Sequence, residues 1–461
     1  MVEEFAAERR LAIGMFLWVL ALAAFWPLSL SFADEVGYVG QAKLLLEGHM
    51  RPLPDSPGVW VVTPQGPIPQ YPLLVPLLIM PLLAVTPRLV FISGVLAALG
   101  IVWVASRALR AWGRSPQWAL IVLAHPTVVI VARTVMSDLL LAAFAVGAWW
   151  AIRRDRRITT LVLLLLLVAT KPTGFLIALA LVVGEAAHMA RAILARDRAA
   201  FVRLGWASAG LAIGLMAAMA LNLATSGKLW FAYNHSFLGT PPFWPVYFPT
   251  TAPRHVASLL LMPPLLLGGL WPFWRRRDYG PLLVIGGFGL MMCFYFFVDT
   301  GRNGLETLIL SPRLILPVVA FLLIGYADGL ATLAARFGKA ASPPHLFAAL
   351  LMVAPALVAV AISARHRRWQ EPNAAALAAT SDLTATLGVH ELGLNAAALK
   401  AGLLYPGHTA LVRGARNAPE VVLCKTRSPS YRAPDERLNC DLPGYEERLD
   451  ITNFRVLVRR R

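Results

Sequence analysis

Apolar runs of about 18 to 22 residues recur through the first 363 positions, the length that crosses roughly 30 Å of hydrocarbon, and short polar segments separate them. The pattern predicts spans at Leu11–Leu30, Arg88–Ser106, Trp118–Arg133, from Asp138 to the Trp149-Trp150 pair, Ile158–Thr170, Gly174–Met189 and Leu204–Leu223. Further spans follow down to Trp271, over Pro281–Val298, from Arg313 to Ala334 and over Leu346–Ile362, about eleven in all. The run from Tyr71 to Pro81 is shorter and broken by Pro72, Pro76 and Pro81, so it reads as re-entrant or juxtamembrane. Between Asp34 and Gly48, the apolar positions Val36, Val39, Ala42 and Leu46 outline a short interfacial helix. Beyond Arg365 the texture changes. An Ala-rich helical stretch (Asn373–Leu399) is followed by strand-like runs at Thr409–Val412, Val421–Cys424 and Phe454–Val458. The fold class is an all-α polytopic membrane protein with a small α/β C-terminal domain. Residues 1–363 form the membrane module, with an outer loop at 32–87, and residues 364–461 form the tail.

Composition agrees with the pattern. Of 461 residues, 58% are hydrophobic and only 15% charged, with a mean hydropathy of +0.63, which excludes an ordinary soluble domain. The net charge of +17 lies in alternate short loops, as at Arg9-Arg10, Arg107/Arg110/Arg114, Arg153-Arg154 and Arg275-Arg276-Arg277. That is the positive-inside distribution. It puts the N-terminus in the cytoplasm and the tail outside, and makes anionic membrane lipids the partner of the charge; no nucleic-acid site is indicated. The first run is too long for a signal peptide and no cleavage site precedes Asp34, so it is read as a retained helix. Cys424 and Cys440 fall in the tail, where a compartment outside the cytoplasm would let them pair; Cys293 lies in an apolar run.

On this topology, ionisable residues gather at the outer ends of the spans: Asp34, Glu35, Arg133, Asp138, Lys171 and Arg313. Two aromatic-rich or polar outer loops accompany them, one with Trp230, Phe231, Tyr233, Phe243 and Trp244, the other with Asp299, Arg302 and Asn303. Carboxylates can take the proton of a polar acceptor and cations can hold a phosphate leaving group. The set therefore suits transfer between such an acceptor and an anionic, lipid-linked donor. Other features carry less. Glu185-x-x-His188 shares one helical face but occurs once. His125 and Asn222 suit interhelical hydrogen bonds, Asp328 suits the cytoplasmic boundary or a proton relay, and Asn234-His-Ser236 fits a glycosylation sequon.

The order of these segments resembles the GT-C glycosyltransferases, above all the protein O-mannosyltransferase and aminoarabinose–lipid A transferase group, which uses polyprenyl-phosphate sugars. Asp34-Glu35-x-x-Tyr38-x-x-x-Ala42 is similar to that group's first outer-loop acidic motif, and Ala132-Arg133-x-x-x-x-Asp138 to its second acidic site. Lys171-Pro172 and Pro312-Arg313-Leu-Ile-Leu-Pro317 resemble its basic elements. The match spans roughly Leu11 to Ala334. The resemblance implies an inverting transfer with Asp34 as general base, Glu35 orienting the acceptor or bracing the loop, and Asp138 positioning sugar or acceptor. It implies donor-phosphate binding by Lys171, Arg313 and Arg133, and a groove lined by Tyr38, Gln70 and Tyr71. The site would lie at the outer face of a bacterial cytoplasmic (inner) membrane. Gln70 stands where the aminoarabinose enzymes carry a basic residue, and Leu314 replaces the usual Tyr, so the reaction class is implied while sugar and acceptor (lipid, glycan or protein) are not. No cofactor beyond the polyprenyl-phosphate-sugar donor is required, though the carboxylates would accept a divalent cation. The alternative is a transporter or flippase for a lipid-linked saccharide, which would concentrate ionisable groups at mid-bilayer and show repeated halves. A non-catalytic scaffold would leave the acids unexplained.

Overall fold

Proline and glycine decide where the apolar runs stop being helical, and they move several expected ends. The computed structural model describes residues 2–229, 243–295, 304–336, 343–412, 419–427 and 438–460. Trp230, Phe231, Tyr233, the Asn234–Ser236 sequon and Asp299, Arg302 and Asn303 lie outside the described residues. The chain divides into two compact units, the first of Met1–Phe25, Ile92–Leu221 and Asn234–Ser363, the second of Trp26–Phe91, Asn222–Tyr233 and Ala364–Arg461.

In the first unit the N-terminal helix is Val2–Ala24. It starts before the apolar run because Glu and Arg are good helix formers, and it stops ahead of Trp26-Pro27. Helices Ile92–Ala111, Ser137–Arg153, Arg157–Thr170, Pro172–His188, Arg198–Ser226 and Leu316–Arg336 fall on predicted spans. Other runs are interrupted. Pro126 separates Ile121–Ala124 from Pro126–Val131, and Pro263-Pro264 separate Phe248–Leu261 from Leu270–Arg275. Among the described residues, three stretches are long and apolar enough to cross a membrane: Pro87–Ala111, Arg198–Ser226 and Thr307–Arg336. A count of eleven spans does not follow from these elements. The helix Leu316–Arg336 is buried over most of its length. Around it Trp149 sits 5.8 Å, centroid to centroid, from both Phe273 and Phe321. An ionic layer closes one end of this core. Asp328 accepts bonds from Arg114 and Arg276, each at 3.0 Å, Asp278 accepts one from Trp149 Nε1 at 3.0 Å, and Glu185 pairs with Arg203 and Arg153. His188 Nδ1 lies 3.1 Å from the Arg277 carbonyl. Asp328 and Glu185 are thus counter-ions of this layer.

The second unit begins with the helix Ala33–Leu46 and a hairpin of β1 (Trp60–Thr63) and antiparallel β2 (Gly66–Pro69). The helix Leu74–Val85 follows; its 12 residues span about 18 Å, well short of the hydrocarbon thickness. The 45-residue helix Pro343–Leu387 runs through Pro372 and enters this unit at Ala364. Gly388, at φ +69°, ends it in the left-handed conformation that glycine adopts at helix C-termini, so the Ala-rich helix stops before the expected Leu399. A five-stranded sheet completes the unit. It comprises β3 (Glu391–Leu394), β4 (His408–Leu411), β5 (Val421–Lys425), β6 (Tyr445–Ile451) and β7 (Phe454–Arg459) in the order β4-β3-β5-β7-β6. β3 is parallel to β4 and β5, while β7 is antiparallel to β5 and β6. Cys424 and Cys440 form a disulfide, buried with Val422 and Leu457.

Candidate active site

In the second unit the site is built on one face of the helix Ala33–Leu46. Phe32 is its N-cap and has no side-chain oxygen to offer the first turn, so Glu35 supplies the capping from the third helical position. Its Oε2 accepts the backbone N–H groups of Phe32, at 2.9 Å, and Ser31, at 2.6 Å. Glu35 is fully buried, so its position is that of a brace for the entering chain. Asp34, one residue earlier, is half-buried. Asp34, Gly37, Tyr38 and Gln41 follow the i, i+3, i+4, i+7 spacing of a single face. Tyr71 lies across that face: its ring is 4.9 Å from the Tyr38 ring, and its hydroxyl donates to Asp34 Oδ1 at 2.8 Å. Gly37 makes room for the ring, since a Cβ there would lie 2.4 Å from Tyr71 Cε2. Asp34 Oδ2 takes no hydrogen bond among the described residues. Gln70 is half-buried beside Tyr71 at the end of the hairpin. Lys43, on the same helix, donates to the carbonyls of Tyr405, at 2.7 Å, and Gly407, at 3.3 Å; burial pushes its pKa down to about 8.

In the first unit Asp138 stands in the first turn of Ser137–Arg153, where the helix N-terminus favours an acid. It is buried and accepts a hydrogen bond from Lys171 Nζ at 2.8 Å. Lys171 is the extended residue between two helices, Arg157–Thr170 and Pro172–His188, with Pro172 opening the second. The turn is tight because Gly174 has no side chain; a Cβ there would lie 2.0 Å from the Leu167 carbonyl oxygen. Arg133 is spent on backbone. Its Nε donates to the Phe25 carbonyl at 2.8 Å, its Nη2 donates to the same oxygen, and its Nη1 reaches the Ser363 carbonyl at 3.4 Å. Arg313 is half-buried in the 3₁₀ turn Ser311–Ile315 that leads into Leu316–Arg336. Among the described residues no three of His, Cys, Asp and Glu gather as a metal-holding set.

Structural comparison gives ArnT from Cupriavidus metallidurans in the apo state, with a TM-score of 0.56 at 14% identity over 98% of both chains. The chain has the fold of ArnT. A second crystal structure, ArnT bound to undecaprenyl phosphate, matches with a TM-score of 0.56 at 13% identity over 97% of both chains. No protein-family model and no curated protein matches the sequence. The ArnT likeness covers the sheet-bearing tail as well as the helices, beyond the stretch in which the sequence motifs lie.

Two buried residues that hold the acidic helix escaped the sequence reading. Gln370 donates to the Ser29 carbonyl and to Ser31 Oγ, each at 2.7 Å, and accepts the Leu28 N–H at 3.0 Å. Asn373 donates to Ser29 Oγ at 3.0 Å. The signal was present in the spacing, because Gln370, Asn373, Leu377, Thr380 and Thr384 form one buried stripe along the Ala-rich helix.

Proposed function

We propose that this protein is a membrane glycosyltransferase that moves a sugar from a polyprenyl-phosphate donor to a lipid, glycan or protein acceptor at the outer face of the membrane. The observation that carries this reading is the ArnT fold over nearly the whole chain, with a carboxylate aimed by a tyrosine at the head of the acidic helix. In the proposed reaction Asp34 Oδ2 takes the proton of the acceptor as the acceptor attacks the anomeric carbon from the face opposite the phosphate. The bond from that carbon to the phosphate oxygen breaks, its electron pair leaves with the polyprenyl phosphate, and the configuration inverts. Tyr71 holds the carboxylate in line, Glu35 fixes the helix start, and Tyr38 and Gln70 flank the groove. Lys171, directed by Asp138, and Arg313 oppose the developing charge on the phosphate. Arg133 contributes by holding backbone. If a divalent cation takes part, Asp34 would offer it a carboxylate oxygen.

The test compares a deletion strain with strains restored by wild type or Asp34→Asn, using mass spectrometry of envelope lipids and glycans. Sugar-modified species are expected to disappear on deletion and return with wild type alone, at equal protein levels in the membrane. Full restoration by Asp34→Asn would overturn the assignment of the base.

A further inference from the structure

The tail of the second unit has the topology in which α/β sheets bind ligands. The chain leaves the C-terminal end of β3 toward β4 on one side, and leaves β5 toward β7 and β6 on the other. Connections that diverge in this way open a crevice outside the carboxyl ends of neighbouring parallel strands. Asn395 pins the two strand ends together. Its Nδ2 donates to the Lys425 carbonyl and its Oδ1 accepts the Lys425 N–H, both at 3.1 Å, and Oδ1 also accepts the Ala398 N–H at 3.0 Å.

A lysine stands close in sequence to the clamp on each side. Lys425 is the last residue of β5, with its ammonium 5.2 Å above the Phe454 ring. Lys400 sits in the short helix after the Asn395 turn, 5.7 Å above the Trp369 ring, and its carbonyl accepts the Leu30 N–H at 3.0 Å. Among the described residues neither ammonium gives a hydrogen bond to an oxygen or pairs with a carboxylate. Burial lowers both pKa values; Lys400 acts on Lys425 in the same sense, and Glu35 acts on Lys400 in the opposite one. Two half-desolvated like charges over aromatic faces are costly until an anion joins them.

We infer that the crevice at the C-terminal ends of β3 and β5 is a phosphate-binding site, in which the ammoniums of Lys400 and Lys425 hold the phosphate of a lipid substrate. The anion site stands on the tail's own geometry; assigning its phosphate to a substrate rests on the glycosyltransferase reading. The phosphate is that of a phosphorylated acceptor lipid, because the donor's phosphate is assigned to Lys171 and Arg313. The loop that carries Lys400 is tied by its carbonyl to Leu30, at the entry to the acidic helix, so occupation of this crevice would act on the chain that delivers Asp34.

The chain has six lysines, few enough to follow individually by NMR after ¹³C-dimethylation, which keeps their charge. The full protein in phosphatidylcholine nanodiscs is titrated with inorganic phosphate, and the Lys400 and Lys425 signals are assigned by loss in Lys400→Gln and Lys425→Gln. Saturable shifts of these two signals are expected, with about tenfold weaker binding in each single variant and unchanged signals from the remaining lysines other than Lys171, which is assigned to the donor phosphate. No shift, or equal shifts at all six lysines, overturns the site. Phosphatidic acid displacing inorganic phosphate supports a phosphorylated acceptor; displacement by undecaprenyl phosphate instead, or by neither, overturns the substrate assignment. Asp34→Asn should bind phosphate as wild type does, which separates this result from the outcome of the transfer assay.

Discussion

A methyl group at position 37 would meet the Tyr71 ring at 2.4 Å, and the ring cannot retreat without withdrawing its hydroxyl from Asp34. Gly37→Ala is therefore expected to lower sugar transfer about as far as Tyr71→Phe does, although it removes no functional group. For Tyr71→Phe, loss of a hydrogen bond to a charged oxygen corresponds to about a tenfold fall in kcat. The KM for acceptor should stay unchanged, because the tyrosine orients the carboxylate. Steady-state kinetics on both variants check this. Asp138 and Lys171 make a different case. Asp138 is buried and Lys171 half-buried, so Lys171→Met strands the buried carboxylate and should unfold at lower temperature than wild type. The double change Asp138→Leu with Lys171→Met should recover most of that loss while leaving transfer impaired, as seen by thermal unfolding beside the activity assay. At this scale the positions of Asp34, Asp138 and Lys171 at helix starts were legible in the sequence, from their place at the ends of apolar runs. Their partners were not. Asp34 and Tyr71 are 37 positions apart, and hydropathy carries no information about which tyrosine crosses which helix.

The helix Ala33–Leu46 is tied to the tail by Lys43, whose ammonium is buried against two carbonyls. Its pKa of about 8 in the folded protein lies below the ordinary value of 10.5. Between these values the unfolded chain binds more protons than the folded one, so this group's contribution to stability rises with pH across that window. Wild type is thus expected to gain stability relative to Lys43→Gln as pH goes from about 8 toward 10, measured by chemical unfolding at each pH. Among the elements, long apolar runs gave their helices away, and prolines explain where runs broke at Pro126 and at Pro263-Pro264. Four strands went unread: β1 and β2 in a proline-rich hairpin, and β3 and β6 for opposite reasons. β3 is four residues long and contains Gly393, too short for a periodicity to register. β6 is an edge strand carrying Glu446, Glu447, Arg448 and Asp450, and charge of that kind, which protects sheet edges, reads as solvated loop. The helix Pro343–Leu387 reads as two stretches in the sequence because the apolar run ends at Ile362 and the charged segment from Arg365 follows; the helix continues through that segment to Gly388.

For the whole molecule, the charge distribution predicts a tail on the outer side, and labelling tests it. In intact spheroplasts, a membrane-impermeant maleimide should label the tail cysteines only after an impermeant reductant has opened Cys424–Cys440. Labelling that requires lysis would reverse the orientation. The mostly helical fold with a small sheet-bearing tail was legible in the spacing of the apolar runs and the change of composition after Arg365. The grouping of residues 26–91 and 222–233 with the tail was not, since no periodic signal joins stretches so distant in sequence.

The cystine in the tail also has a consequence for the cell. It closes a loop between residues 16 apart, and a cross-link of that length is worth about 3 kcal/mol to a small domain. Bacteria deficient in extracytoplasmic thiol oxidase would therefore insert this protein normally yet mature its last hundred or so residues poorly. On the proposed function, their surface would then lose the transferred sugar for want of an oxidant, with Asp34 and Asp138 still encoded.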